Sequence, residues 1–169
     1  MHEAWFNDGI PLPIMSQLTP CQPRYACAIL RDSGGNFLLQ LRPGSATYAA
    51  NLLTCFGGRC EPGETADECL TRELDEELGW RPAQITAAAV YLRDTQHLIA
   101  TFHPLLLPAG VRVRTEPGFV AVRAPPSSLP GLPLSPWHRL VFEAVASGPF
   151  EPLIVQLADP TAPDRGCNQ

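Results

Sequence analysis

Alternating and continuous apolar segments along the chain predict a series of short strands. Each segment is bounded by turn-forming residues, the pattern expected for strands of about 4–8 residues. The turn Ser33-Gly34-Gly35-Asn36 joins the first two segments as a β-hairpin, and Glu116-Pro117-Gly118 separates the last two. The predicted strands are 24–32, 37–42, 52–56, 85–94, 97–107, 111–114 and 119–124.

A different period marks two helices. Ala66, Leu70, Leu74 and Leu78 recur every four residues and predict one buried stripe on a helix over 66–78. Thr65 followed by Glu68 is a capping box at its start, and Gly79 is a good terminator just past its end. A second helix is predicted over 135–146.

Strands on both sides of a central helix, followed by a late helix, predict an α/β fold. We expect a mixed sheet that lies between helices. The length of 169 residues suits one domain, predicted here over 23–148. The Pro-rich segment 1–22 is predicted to be an irregular lead-in, and 149–169 a C-terminal tail.

Composition narrows the setting. The net charge of −5 argues against broad binding to nucleic acids or acidic membranes. No apolar run is long enough to span a membrane, and the N-terminus does not resemble a secretory signal. The six cysteines show no zinc-site spacing, and because the N-terminus does not resemble a secretory signal, we expect reduced thiols in a cytoplasmic protein. The chain has no lysine, so a fixed cation that contacts a phosphate must be arginine.

Negative charge is concentrated around the predicted central helix. Of the 17 acidic residues, eight lie between Gly58 and Gly79, and only Arg59 and Arg72 oppose them there. Glu73, Glu76 and Glu77 fall beside the apolar stripe at spacings where like charges destabilise a helix. Partial desolvation adds to this cost, and one arginine cannot neutralise three carboxylates. A solvated acidic face is the alternative, but a hard divalent cation bound by oxygen ligands explains the pattern better.

The same segment resembles the Nudix box. Gly58, Glu64 and the run Arg72-Glu73-Leu74-Asp75-Glu76-Glu77-Leu78-Gly79-Trp80 match all seven fixed identities and both apolar positions of that 23-residue pattern. So long a pattern at fixed spacing has a low risk of chance occurrence. The resemblance implies a Nudix-type α/β/α sandwich and extends more loosely from about Arg24 to Ala146.

The resemblance also implies a reaction and a set of site residues. Nudix enzymes hydrolyse a nucleoside diphosphate linked to another group, with Mg²⁺ or Mn²⁺ bound. By similarity, Glu73, Glu76 and Glu77 are the metal ligands, and the Gly57 carbonyl is an additional candidate. Glu64 would support the metal cluster or a second ion, and Arg72 would orient the glutamates.

The general base and the substrate stay open. Glu116 is the better candidate for a late ligand or base, and Asp94 is interpreted as a turn residue. Tyr48, Phe119 and Trp5 are candidates for stacking on a base. We expect a small nucleotide as substrate, with a nucleoside triphosphate among the candidates, and a homodimer is left open. The alternative function is a catalytically silent Nudix module that only binds or senses a nucleotide.

Overall fold

The computed structural model describes residues 22–147 and 152–157. Eight strands, two α-helices and a 3-10 helix at Pro126–Gly131 form the described fold. The helices are α1, Ala66–Leu78, and α2, Pro136–Ser147. The strands are β1 Tyr25–Arg31, β2 Phe37–Leu41, β3 Leu53–Thr54, β4 Phe56–Arg59, β5 Val90–Arg93, β6 Leu98–Leu106, β7 Val120–Ala124 and β8 Leu153–Gln156.

All eight strands belong to one mixed sheet. Its main path runs β3-β2-β1-β6-β5-β8, while β4 pairs with β1 and β7 pairs with β2. The β1–β6 and β5–β8 pairs are parallel, and the other pairs of named strands are antiparallel. Strand β1 lies at the centre, because it contacts β6 along one edge and both β2 and β4 along the other.

The core is divided between the two faces of this sheet. Ala26 and Ala28 of β1 pack with the buried stripe of α1, whereas Cys27 and Ile29 pack with residues of α2. This alternation follows from the two-residue period of a strand. Helices therefore cover both faces, which confirms the predicted α/β/α sandwich with a mixed sheet.

Local signals in the sequence account for α1. The Thr65 side chain accepts a hydrogen bond from the Glu68 N–H, and the Glu68 carboxylate accepts one from the Thr65 N–H. Gly79 ends the helix in the left-handed conformation. The predicted helix, its capping box and its terminator are all confirmed.

Neither of the described α-helices is long and apolar enough to cross a membrane.

Other segments differ from the sequence prediction. Segment 52–56 is divided between β3 and β4, and β5 begins only at Val90. The predicted strand at 111–114 is wrong: Val111 and Val113 pack partly buried beside α1, and the Arg114 N–H donates to the Leu78 carbonyl. The segment therefore covers the end of the helix instead of joining the sheet. Strand β8 was not predicted from the sequence and lies within the segment interpreted as a tail.

Gly57 in β4 occupies a position that only glycine can take. Its φ is 126°, and a Cβ atom would lie 2.2 Å from the Ala26 carbonyl oxygen and 2.7 Å from the Cys27 Cα. Both contacts are with the backbone of the central strand, so neither can be relieved by a side-chain rotation. The backbone of the neighbouring strand β1 therefore requires glycine at this position.

We expect Gly57→Ala to lower the free energy of unfolding by about 3–5 kcal/mol, because overpacking adds to backbone strain. Gly63→Ala is the matched control, since Gly63 also has a positive φ but open space around its Cβ position. The control should cost only about 1–2 kcal/mol. Denaturant unfolding of both variants measures the difference, and equal losses would contradict the steric argument.

Candidate active site

The glycine pair Gly57-Gly58 brings the sheet against the acidic face of α1. The Gly57 N–H donates to Glu77 Oε2 at 2.8 Å. A Cβ atom on Gly58 would lie 2.4–2.5 Å from the Glu73 carboxylate. The absence of side chains at Gly57 and Gly58 thus lets two glutamates of the helix approach the backbone of β4.

Glu77 is a buried acid, with only 8% of its surface exposed. Besides the Gly57 N–H, it accepts a hydrogen bond from Gln40 Nε2 at 3.1 Å. Burial, with smaller contributions from the charges of Glu73 and Glu116, raises the pKa of Glu77 to about 7 despite these two donors. Gln40 is a site residue that sequence reasoning missed.

Arg72 connects the acidic groups of the site. Its Nε and Nη2 atoms donate to the two Glu64 oxygens at 2.9 and 3.0 Å. Its Nη1 atom lies 2.7 Å from Glu73 Oε1 and 3.4 Å from Glu76 Oε2. Of the three helix glutamates that it is predicted to orient, Arg72 contacts Glu73 and, at a longer distance, Glu76, and its additional partner is Glu64.

The contacts give these carboxylates different electrostatic environments. Arg72 and the Glu61 N–H lower the pKa of Glu64 to about 2. Burial raises the pKa of Glu73, although Arg72 opposes that shift. Glu76 is the most accessible of the three helix glutamates in this site, with 57% of its side chain exposed.

The two later acids behave differently. Glu116 is exposed, and its charge contributes to the raised pKa of Glu77. Asp94 instead stabilises its own turn, because its Oδ1 atom accepts hydrogen bonds from the Gln96 and His97 N–H groups. The interpretation of Asp94 as a turn residue is confirmed.

The residues present fit a hard divalent cation in their chemistry. Within residues 22–147 and 152–157, no three acidic, histidine or cysteine side chains already converge at metal-binding spacing. The cluster nevertheless offers the carboxylate oxygens that Mg²⁺ and Mn²⁺ prefer. Two of its acids, Glu73 and Glu77, are disfavoured as anions by burial, and the buried Oε1 atom of Gln40 beside Glu77 has no hydrogen-bond partner among the described residues. A cation would compensate the buried negative charge.

A cavity of about 320 Å³ adjoins the same glycine pair. We call it the aromatic cavity, because Tyr25, Tyr48, Phe102 and Trp137 line it. The Trp137 ring lies 6.1 Å from the Tyr25 ring and 6.0 Å from the Tyr48 ring, centroid to centroid. The remaining lining residues are Cys27, Arg42, Thr54, Cys55, Gly57, Gly58, Ala100 and His138.

Of the two predicted stacking residues that the structure describes, one lines the aromatic cavity. Tyr48 is that residue. The Phe119 ring instead packs under the guanidinium of Arg42, whose Cζ atom lies 5.3 Å from the centroid of the ring. Trp5 lies outside the described residues. Sequence reasoning missed Tyr25, Trp137 and His138, because no local signal distinguishes cavity residues from core residues.

A second, more open cavity of about 520 Å³ lies beside Arg72 and Glu73. Arg24 and Arg59 contribute to its lining, together with Cys60 and Glu61. The carboxylate cluster therefore lies close to both an aromatic cavity and a pair of arginines.

Comparison with known proteins identifies this arrangement. The family model of the NUDIX domain matches residues 22–145, most of the chain. The chain belongs to the Nudix family. It is a Nudix hydrolase, a member of the enzyme class that cleaves phosphoric anhydride bonds of nucleoside diphosphates linked to another group. A comparison with curated protein sequences finds no match.

Several solved structures share the fold. A MutT Nudix hydrolase from Burkholderia pseudomallei is 25% identical, with a TM-score of 0.58, 74% of this chain covered and 99% of that one. The ORF135 protein of E. coli is 27% identical, with a TM-score of 0.56 and coverage of 72% and 86%. The NUDIX domain of Shewanella oneidensis NrtR, solved with ADP-ribose, is 17% identical, with a TM-score of 0.53 and coverage of 78% and 93%.

The raised pKa of Glu77 makes metal-free stability depend on pH. Its pKa is about 7 in the folded chain against an ordinary value of 4.5, so the unfolded chain releases this proton first as pH rises. The contribution of Glu77 to stability is complete below pH 4.5 and is lost as pH rises to about 7. The loss amounts to about 3 kcal/mol.

We expect Glu77→Gln to remove this pH-dependent loss, because glutamine stays neutral and its oxygen can still accept from the Gly57 N–H. Denaturant unfolding in excess chelator, from pH 4.5 to 8, measures the effect. The difference in free energy of unfolding between variant and wild type at pH 4.5 is the baseline from which the change at higher pH is measured. Parallel curves for the two proteins across this range would contradict the burial of an uncompensated charge at this position.

Proposed function

We propose that this Nudix hydrolase uses a divalent metal ion to hydrolyse a nucleoside diphosphate linked to another moiety, with nucleoside triphosphates as candidate substrates. One observation carries the proposal: the carboxylate cluster and the aromatic cavity share Gly57 and Gly58. A nucleotide whose base enters the cavity would extend its phosphates toward the acidic face of α1.

In this proposal Glu73, Glu76 and Glu77 hold the metal, with the Gly57 carbonyl as an additional ligand. Bound Mg²⁺ or Mn²⁺ would neutralise charge on the diphosphate and acidify a bound water. Glu64 supports the cluster by holding Arg72 through two hydrogen bonds. Gln40 and the Gly57 N–H fix the orientation of the Glu77 carboxylate.

Arginines supply the cations for the phosphates, since the chain has no lysine. Arg24 and Arg59 line the open cavity beside Glu73 and are the candidates for this role. Glu116 is proposed as the late acid that accepts the proton of the attacking water. Its exposure leaves it accessible to solvent, and its charge reaches Glu77.

A nucleotide substrate is further supported by the NrtR relative, whose NUDIX domain was solved with ADP-ribose. The silent, purely regulatory alternative is disfavoured because every fixed residue of the Nudix box is present. A cytoplasmic location and a homodimer stay predictions from the sequence and carry no part of the proposed mechanism.

Metal dependence and the carboxylate assignment are tested together. We expect excess chelator to abolish hydrolysis of nucleotides and Mg²⁺ or Mn²⁺ to restore it. Glu73→Gln, Glu76→Gln and Glu77→Gln should each lower kcat by at least about 100-fold while the metal-free proteins stay folded. The matched control is Asp75→Asn on the same helix, whose carboxylate pairs with Arg81 instead.

The measurement is release of phosphate and pyrophosphate from a panel of nucleotides, with circular dichroism to check folding. The panel includes canonical and oxidised triphosphates, nucleotide sugars, ADP-ribose, dinucleoside polyphosphates and coenzyme A. Full turnover after stringent metal removal, or equal losses in Asp75→Asn, would refute the assignment.

The role of Arg72 makes a separate prediction. Arg72→Lys keeps the charge but loses the planar fork that contacts Glu64 with two nitrogen atoms. We expect kcat and metal affinity to fall by about 10–100-fold with KM little changed, because the residue orients ligands and does not bind substrate. Arg81→Lys is the control. Steady-state kinetics with varied substrate measures kcat and KM, and a metal titration at saturating substrate measures metal affinity. A large rise in KM at unchanged kcat would show that Arg72 binds the substrate instead.

A further inference from the structure

Two cysteine side chains meet between the end of β4 and the first turn of α1. The Cys60 N–H donates to the Arg24 carbonyl at 2.9 Å, so the pairing with β1 continues one residue beyond β4. Cys60 therefore points to the same face of the sheet as Gly58, two residues earlier, and that face is covered by α1. Cys69 of α1 lies there too, because its Sγ atom is 3.6 Å from the Gly58 carbonyl oxygen. The two thiols hydrogen-bond to each other.

The two thiols differ in their access to solvent. Cys69 is fully buried, whereas Cys60 is partly exposed and lines the open cavity of about 520 Å³. A small reagent from solvent therefore reaches Cys60 first and finds Cys69 directly behind it. The hydrogen bond between the thiols also lowers the pKa of Cys60 and raises that of Cys69. An accessible thiol beside a second thiol is the arrangement in which the oxidised first cysteine is resolved by the second.

The Cys69 thiol also contacts the groups that hold the carboxylate cluster in place. Its S–H has three acceptors within reach, the Gly58 carbonyl oxygen, the Cys60 sulfur and the Glu64 carboxylate. The Arg72 Nη2 atom lies 3.9 Å from its sulfur. A change at this sulfur therefore acts on both partners of the Arg72–Glu64 contact.

We propose that Cys60 is the site at which hydrogen peroxide oxidises this enzyme, and that Cys69 then forms a disulfide with it that slows hydrolysis until a thiol reductant restores the pair. In the first step the Cys60 sulfur attacks one peroxide oxygen, the O–O bond breaks, and a sulfenic acid and one water form. In the second step the Cys69 sulfur attacks the Cys60 sulfur, the S–O bond breaks, and the oxygen leaves as a second water. Two thiols are oxidised and one peroxide is reduced to two waters.

The disulfide removes the Cys69 S–H, so the Gly58 carbonyl and the Glu64 carboxylate lose this donor. It also closes a ring over 60–69, which contains Glu64, and draws the loop toward α1. Disturbing the groups that orient metal ligands typically costs about tenfold or more in activity, so we expect kcat to fall by about tenfold. The effect on rate rests on the proposed function, whereas the formation of the disulfide does not.

Peptide mapping tests the disulfide directly. Trypsin cleaves after Arg59 and Arg72, so both cysteines lie in one peptide, 60–72. After the folded full chain is treated with hydrogen peroxide in excess chelator, then unfolded and alkylated, we expect this peptide to be lighter by two hydrogen atoms and to take up no alkylating reagent. Cys27 and Cys55 are the internal controls, because both are buried and should remain alkylatable thiols. Two alkylated thiols in 60–72 at full oxidant dose would overturn the proposal.

Serine variants assign the two steps. Cys69→Ser should stop the reaction at the sulfenic acid, which dimedone traps on Cys60, and Cys60→Ser should give neither the adduct nor the disulfide. In the hydrolysis assay, peroxide should lower the kcat of the wild type by about tenfold, a thiol reductant should restore it, and Cys60→Ser should not respond. A disulfide without any change in kcat would contradict the effect on rate, and an equal loss in Cys60→Ser would place the sensitive group elsewhere. If a variant does not fold, the mapping of the wild type and its recovery with reductant decide.

The outcomes separate this inference from the proposed function. Metal-dependent hydrolysis of nucleotides by a chain that forms no disulfide in 60–72 would leave the function intact and remove the inference. A disulfide in 60–72 without hydrolysis of any nucleotide in the panel would remove the proposed function, and with it the effect on rate, and leave the oxidation site standing.

Discussion

The burial of the Glu77 carboxylate against the backbone of Gly57 is the constraint on which the rest of the site depends. A carboxylate in an apolar setting is costly unless donors or a cation compensate it. Here one backbone N–H and one amide side chain are the donors, and they are too weak to restore the ordinary pKa. The fold thus buries a carboxylate whose negative charge needs a nearby cation to compensate it. The close approach that achieves this is available only to a strand without side chains at Gly57 and Gly58.

Arg72 distributes the remaining charge and links two parts of the structure. Its guanidinium contacts Glu64 in the loop, Glu73 in the helix and the carbonyl oxygen of Arg59 at the end of β4. The same loop is tightened by a hydrogen bond from the Glu61 N–H to Glu64. One side chain therefore ties strand, loop and helix together. These contacts hold the loop that contains Pro62 and Gly63 in a fixed position beside the carboxylates.

The sequence predicted best where the determinants are local. Thr65 and Glu68 start α1 and Gly79 ends it, and Glu73, Glu76 and Glu77 lie on the same helix. The partnership of Gln40 with Glu77 could not be predicted, since the two residues are 37 positions apart and meet only when α1 packs on the sheet. Ser135 and His138 are close in sequence, but the cavity that His138 lines is formed by aromatic rings from distant parts of the chain.

The errors have physical causes as well. The alternation of valine and arginine at 111–114 requires only one apolar surface, and the end of α1 provides that surface as well as a sheet would. β8 was missed because its pairing partner, β5, precedes it by about sixty residues. A short apolar segment gives no sign of such a partner, and parallel pairing leaves no turn between the strands to announce it.

The late position of β8 has a consequence for synthesis. Its parallel pairing with β5 is available only once residues beyond α2 have left the ribosome. Until then β5 has a bare edge on the side that β8 later covers, next to the apolar surface that Ile154 and Val155 will shield. Bare strand edges recruit other chains, and incomplete domains are exposed to this at the concentrations found in cells. Between completion of α2 and completion of β8, a nascent chain therefore exposes this strand edge to other chains.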